Sequence, residues 1–113
     1  MTNEKGDMVG DPFFYPLKRG EKYSLWCAGL GATVPFVPTG QASPKEPLAW
    51  TSNPVSLRTD SGKEVQVDYS GLAPDFVGLF QINFTIPDEV ESGLVEMILN
   101  AGGKEDEFWT SVK

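Results

Sequence analysis

The sequence has no histidine, and Cys27 is its only cysteine. Without histidine the chain lacks the commonest general base, the commonest metal ligand and the partner that activates serine or cysteine nucleophiles. A single cysteine excludes an intramolecular disulfide and metal sites built on paired cysteines. We therefore expect a protein that is not an enzyme and holds no cofactor or metal, with Cys27 as a small buried core residue.

Positive charge and long apolar runs are also scarce. Nine Lys and Arg residues stand against sixteen Asp and Glu residues, which gives a formal net charge of −7. This charge repels phosphate backbones and anionic lipids, so nucleic acid is not an expected partner. No stretch approaches the roughly 18 apolar residues of a membrane-spanning helix, and the first residues lack the regions of a secretory signal. The chain therefore acts where it is made, or these residues lack its leader.

Glycine and proline punctuate the chain. Twelve glycines and nine prolines divide the 113 residues into short segments, which suits strands and tight turns better than helices. No apolar pattern of helical spacing extends over three turns, whereas several segments alternate polar and apolar residues. The sequence predicts an all-β, immunoglobulin-like β-sandwich of about seven short antiparallel strands, with barrel closure as the alternative.

Strand and turn signals follow one another along the whole chain. Asp60-Ser61-Gly62 joins a hairpin in which Val65, Val67 and Tyr69 are predicted to share a face, and the chain reverses again at Ala101-Gly102-Gly103-Lys104. The predicted extended segments are 12–17, 22–28, 33–37, 48–51, 55–59, 64–69, 77–86, 94–100 and 108–112. The predicted inward side chains of three of them are Tyr23, Leu25, Cys27, Phe80, Ile82, Phe84, Ile86, Val95, Met97 and Leu99.

One long motif resembles a known family. The segment from Gly71 to Pro87, GLAPDFVGLFQINFTIP, is similar to the pattern GLAPGFVGLYQIN followed by VP in a C-terminal domain of many secreted or surface proteins of soil Acidobacteria. Gly20-Glu21, the GLGAT segment at 29–33 and the late turn at Ala101 also match that pattern. The resemblance implies an immunoglobulin-type sandwich related in style to the IPT/TIG domains of surface proteins. It implies no catalytic residues.

Two departures from the family pattern bear on the turn and on the strand. Asp75 stands where the family usually has glycine, and because Asp tolerates the left-handed backbone region, we expect the turn to survive. Phe80 stands where the family usually has tyrosine, so one hydroxyl and its hydrogen bond are lost.

The family match begins at Gly20 and divides the chain into two parts. Residues 20–113 form the predicted immunoglobulin-like domain, and residues 1–19 form an N-terminal extension or a first edge strand. Phe13, Phe14 and Tyr15 lie in this extension. Two roles are open for it: it adds to the sheet edge of a neighbouring subunit, or it supplies the first strand of its own fold.

Exposed aromatic side chains are the candidate interaction residues. They are Phe13, Phe14, Tyr15, Trp26, Trp50 and Trp109. Tryptophan and tyrosine dominate interface hot spots because they bury a large area at low entropic cost. Packing in the sandwich core is the competing interpretation, and the favoured one, for each of the three tryptophans.

The remaining polar candidates have simple structural interpretations. Gln66, Gln81 and Asn83 form a ligand-binding amide ladder, or they satisfy loop backbone groups and face solvent. The acidic clusters at 88–91 and 105–107 lack the ligand spacing of a calcium loop, so we interpret both as solvated turns.

Together these observations predict a binding or structural role. We expect a non-enzymatic immunoglobulin-like module of a bacterial surface, secreted or assembled protein that contacts a protein partner or self-associates through a sheet edge. The alternative is a carbohydrate-binding module that uses exposed tryptophans. The expected location is extracellular or on the cell surface, with the cytoplasm as the alternative.

Overall fold

The computed structural model describes residues 1–3, 8–9, 16–27, 30, 33–38, 40–44 and 48–113. In these ranges the protein has nine strands and no helix, and all strand pairings are antiparallel. The all-β prediction is therefore confirmed. The strands are β1 Thr2–Asn3, β2 Lys22–Cys27, β3 Thr33–Val34, β4 Trp50–Thr51, β5 Val55–Thr59, β6 Glu64–Leu72, β7 Phe80–Thr85, β8 Gly93–Ala101 and β9 Lys104–Val112.

The strands form one curled sheet, an open half-barrel. Its order is β1-β2-β7-β6-β5-β8-β9, and β4 and β3 extend from the second part of β6. Strand β6 connects two halves, because its start pairs with β5 and its later residues pair with β7. We call β1, β2, β7, β4, β3 and the later part of β6 the first half, and β5, β8, β9 and the start of β6 the second half. The immunoglobulin-like sandwich stays a prediction.

The core lies between the two halves. Ile82, Phe84 and Ile86 are fully buried in or next to β7, and Met97 is fully buried in β8. Phe84 packs beside Tyr23 of β2, with 6.1 Å between the ring centroids. The predicted inward sides of β2, β7 and β8 are thus confirmed, although Leu25 and Cys27 are only partly buried. Burying each large side chain contributes about 1.5–3 kcal/mol.

Both predicted hairpins are present. Gly102 and Gly103 form a two-residue turn with φ of +61° and +89°. Positive φ at both central residues is characteristic of the type I′ hairpin turn. Because this turn is so tight, pairing resumes at Lys104, and β9 begins four residues before the predicted segment 108–112. The interpretation of residues 105–107 as a turn is therefore wrong, whereas residues 88–91 lie outside the strands, in a turn region.

Strand β6 departs from the predicted pattern at one bulge. Val67 pairs with Phe84, but Tyr69 pairs with Asn83, so Asp68 is an extra residue in the register. Residues directly opposite each other in a sheet share a face, and a one-residue shift moves all later side chains to the other face. The prediction that Val65, Val67 and Tyr69 share a face is therefore wrong. The strand also continues to Leu72, beyond the predicted end at Tyr69.

The N-terminal residues that the structure describes belong to the same sheet. Thr2 and Asn3 form β1 and pair with β2. Leu17, which is fully buried, forms a parallel bridge with Val112 at the end of β9. Its amide donates to the Ser111 carbonyl oxygen at 2.8 Å, and the Lys113 amide donates to the Leu17 carbonyl oxygen at 2.8 Å. Phe13, Phe14 and Tyr15 lie outside the described residues.

Candidate binding surfaces

The three tryptophans lie on the surface at three different places. Trp26 on β2 is 38% exposed, Trp50 on β4 is 49% exposed and Trp109 on β9 is 51% exposed. The interpretation of these residues as core is wrong for all three. Ala49, just before Trp50, and Thr110, just after Trp109, are small and fully buried, so they occupy the inward positions. Strand alternation then turns the indole outward.

Trp50 lies on the outer face of the first half, since it pairs with Gly71, which pairs with Gln81. It pairs directly with Val34 of β3, which is 63% exposed. Phe36, 75% exposed, follows on the same segment and shares a groove with Val77. Exposed apolar residues that occur singly are ordinary, but contiguous ones mark interaction sites. We call Phe36 and Val77, which line this groove together, the apolar patch.

The groove within the patch has a volume of about 360 Å³. Its lining includes the exposed Phe36 and Val77 and the buried Leu72 and Phe80, and none of the described residues that line it is charged. This volume is in the range of small-molecule and side-chain pockets, about 300–1,000 Å³. The Phe80 side chain presents only an apolar ring here, so the groove suits an apolar occupant.

Hydrogen bonds between two loops hold one wall of the groove. The Asp75 amide donates to the Ser43 carbonyl oxygen at 2.9 Å, and the Ser43 amide and hydroxyl both donate to the Phe76 carbonyl oxygen at 2.9 and 3.0 Å. Asp75 has φ of 69°, in the left-handed region that Asp tolerates, as expected. Ala42 also forms a bridge with Val77. The wall is therefore formed before any ligand binds.

Tyr69 supports Trp50 from below. The two rings meet edge to face at 4.6 Å, and the Tyr69 hydroxyl donates to the Leu72 carbonyl oxygen at 2.9 Å and to that of Ala49 at 3.3 Å. Burial raises the pKa of the Tyr69 phenol. Gly71 is required here, because a Cβ would overlap the Ala49 carbonyl and the Tyr69 ring. The sequence does not predict this role of Tyr69, because the bulge that moves its ring to the outer face, under Trp50, has no clear sequence signal.

A second surface, on the first half, carries polar side chains around one tryptophan. We call it the amide face; its members are Lys22, Ser24, Trp26, Gln66, Asp68, Gln81, Asn83 and Thr85. The Ser24 hydroxyl donates to Asn83 Oδ1 at 2.7 Å, and Gln81 Nε2 donates to the same oxygen at 2.8 Å. Gln81 and Asn83, two of the predicted amide residues, thus bind each other rather than loop backbone groups.

The other predicted amide residue, Gln66, is hydrogen-bonded to Asp68. Gln66 Nε2 donates to Asp68 Oδ1 at 2.7 Å, and the Thr85 hydroxyl donates to Asp68 Oδ2 at 2.8 Å. A hollow of about 260 Å³ lies beside this pair, lined by Lys22, Tyr23, Ser24, Asp68 and Asn83. The amide face therefore has two side-chain hydrogen bonds between strands and two within strands, beside a shallow cavity.

The third surface is the outward side of the second half, which we call the acidic face. Its members are Arg58, Glu64, Glu96, Glu105, Glu107 and Trp109. Arg58 Nη1 lies 2.7 Å from Glu105 Oε2, and hydrogen bonds from Arg58 and Asn100 lower the pKa of Glu105. Desolvation raises the pKa of Glu96, and the nearby carboxylates of Glu107 and Asp60 raise it further. Trp109, directly opposite Glu96, is surrounded by this charge.

The sulfur and metal chemistry of the described residues is limited. Cys27 packs against the core, and burial raises the pKa of its thiol, which keeps the reactive thiolate scarce. Within the described ranges, no three His, Cys, Asp or Glu residues are placed to hold a metal ion. None of the described segments forms a helix that is long and apolar enough to cross a membrane.

Comparison with protein-family models, with curated proteins and with solved structures finds no match to this chain. The resemblance to the acidobacterial domain therefore stays a prediction. The candidate surfaces are defined by their own geometry alone.

Proposed function

We propose that this chain is a non-enzymatic, immunoglobulin-like interaction module that associates with a second copy of itself through the apolar patch. The resemblance of its central motif adds the expectation of a bacterial surface, secreted or assembled protein. The observation that carries the proposal is the exposed phenyl ring of Phe36 beside an uncharged groove.

The strand pairing supports the immunoglobulin-like part of the proposal. An immunoglobulin constant-type domain has strands B, E and D as neighbours in one sheet and C, F and G in the other. If β2 and β5 to β9 are taken as B to G, the neighbour orders β2-β7-β6 and β5-β8-β9 agree with this arrangement. At the parallel bridge between Leu17 and Val112, the segment before β2 lies beside the last strand.

The shape of the apolar patch supports self-association. A ring that protrudes next to a cavity is self-complementary, because in a two-fold dimer each copy can insert its ring into the groove of the other. Phe36 follows directly after β3, which among the described strands pairs only with β4. The patch therefore lies next to a sheet edge. The described residues that line the groove carry no charge, so they do not add to the net charge of −7 at the contact.

Light scattering over a range of concentrations tests the proposal. We expect the average mass to rise from the 12.3 kDa of one chain toward twice that value. Phe36→Ala removes the inserted ring and should weaken the dimer at least about tenfold, which corresponds to about 1.4 kcal/mol. Leu94→Ala is the matched control, since Leu94 is also exposed but lies on the second half. A mass that stays at one chain up to millimolar concentration contradicts self-association.

A further inference from the structure

The amide face has the composition of a surface that binds hydroxyl-rich ligands. In register across two strands, Trp26 lies opposite Gln81 and Ser24 lies opposite Asn83. Residues two apart in a strand are about 7 Å apart, so the indole and the hollow beside Ser24 are direct neighbours. An apolar ring next to hydrogen-bonding groups matches a ligand that has both C–H faces and hydroxyls.

The indole of Trp26 is held in place before a ligand arrives. Its Nε1 donates to the Thr2 hydroxyl of β1 at 2.9 Å. This bond uses the only polar atom of the ring, so the exposed part offers its π surface. That surface is electron-rich and attracts the weakly positive C–H groups of a sugar ring. A fixed ring also loses little entropy on binding.

The hydrogen bonds of the amide face leave groups for a ligand. Asn83 Oδ1 already accepts from Ser24 and Gln81, which fixes the orientation of both amides. Within the described residues, the two N–H donors of Asn83 Nδ2 and the side-chain oxygen of Gln81, Oε1, have no hydrogen-bond partner. Each sugar hydroxyl can donate and accept one bond, so this mixture of donors and an acceptor suits it.

The size and charge of the site narrow the ligand class. The hollow of about 260 Å³ is smaller than typical drug-sized pockets of about 300–1,000 Å³, so it accommodates about one sugar unit. Its lining has one cationic side chain, Lys22, and one anionic side chain, Asp68. The chain as a whole has a net charge of −7, which repels anionic glycans.

We propose that the amide face binds a neutral polysaccharide, with one sugar ring stacked on Trp26 beside Gln81 and the neighbouring unit hydrogen-bonded to Asn83 at the hollow. This site is separate from the apolar patch and does not depend on self-association.

Affinity electrophoresis in native gels tests the proposal. The probes are soluble neutral polysaccharides, namely mixed-linkage β-glucan, xyloglucan, xylan and galactomannan, with polygalacturonate as the anionic comparison. We expect at least one neutral polymer to retard the protein and to change its tryptophan fluorescence. Retardation by none of them, or by polygalacturonate alone, overturns the proposal.

Two variants locate the site, and one controls for exposed tryptophan. Trp26→Ala should weaken binding at least about tenfold. Asn83→Asp keeps the oxygen that accepts from Ser24 and removes the amide donors, so it should also weaken binding while the fold, checked by circular dichroism, is kept. Trp109→Ala, which removes a tryptophan of comparable exposure from the acidic face, should leave binding unchanged. Loss of binding in Trp109→Ala with retention in Trp26→Ala overturns the assignment.

The same proteins separate this proposal from self-association. Light scattering of Trp26→Ala should show the mass of the unaltered protein, and Phe36→Ala should still bind the polysaccharide. Loss of polysaccharide binding in Phe36→Ala would place the ligand at the apolar patch and contradict the amide-face site.

Discussion

The two halves of this sheet present opposite chemistries to the solvent, although they share one core and the same strand alternation. On the first half, Trp26 lies among amides and hydroxyls that bind one another. On the second half, Trp109 lies opposite Glu96 and near Glu107. The comparison shows that an exposed tryptophan does not define a binding site. The groups around it decide which ligand it can take.

The charge of the molecule follows the same division. The second half carries four glutamates and one arginine on its outward side, whereas the described lining of the first half's hollow has one charge of each sign. The acidic strand β9 lies at one end of the sheet order. Charged side chains on such a strand oppose unwanted strand addition. The charge of β9 therefore disfavours the addition of a further strand at this end of the sheet.

The largest expected effect comes from breaking the core that both faces share. Phe84 is fully buried, and Phe84→Ala should lower the free energy of unfolding by about 3–5 kcal/mol. Phe108 is the matched residue of the second half, but it is only partly buried. Phe108→Ala should therefore cost about 1–2 kcal/mol, since less area is removed from the core. Urea denaturation measures both; equal losses would mean that the two halves share the core evenly.

Much of this core could be predicted from alternation alone. Phe80, Ile82, Phe84 and Ile86 occupy every second position. All four can be buried together only when that face of the strand points toward the core. The glycines of the hairpin at Gly102 likewise mark a turn that requires positive φ. These features depend on residues that are close in sequence, and for this reason a single sequence was sufficient.

The surfaces could be predicted only in part, because they depend on contacts between distant segments. Residues 33–38, 40 and 41 meet residues 72–80 to form the groove, and nothing in the sequence of either segment indicates the other. The bulge at Asp68 moves Tyr69 under Trp50, yet the alternating sequence there predicts a regular strand. The amide residues Gln81 and Asn83 were recognised, but their partner Ser24 lies on β2, far away in sequence.

A smaller effect is expected where the first half has no room for a side chain. The outward positions of β8 and β9 carry side chains, but the Gly71 position is filled by the Tyr69 ring and the Ala49 carbonyl. Gly71→Ala should cost about 1–3 kcal/mol through overpacking. It should also weaken the near-ultraviolet dichroism of the Trp50–Tyr69 pair. Urea denaturation and dichroism check these two results.

A double variant shows whether the Tyr69 ring is the cause. Tyr69→Phe alone should cost about 1 kcal/mol through its lost hydrogen bonds, and it removes one of the atoms that a Cβ on Gly71 would meet. The double variant should therefore cost less than the sum of the two single variants. Strictly additive costs would place the strain at the Ala49 carbonyl alone.

The smallest expected effects are the two opposite pH dependences within the acidic face. Glu96 has a raised pKa, so its charge is unfavourable in the folded state; the penalty is present above that pKa and is relieved as the pH falls toward the ordinary value of 4.5. Glu105 has a lowered pKa, so its stabilisation is present above pH 4.5 and is lost as the pH falls through the lowered value.

At pH 7, Glu96→Gln should therefore raise the urea midpoint slightly and Glu105→Gln should lower it slightly. Both differences should shrink in acid, because the carboxylates become protonated. They should also shrink in high salt, because salt screens exposed charges. Shifts of the same sign in both variants would show that general repulsion, rather than the specific pair of Glu105 with Arg58, governs the acidic face.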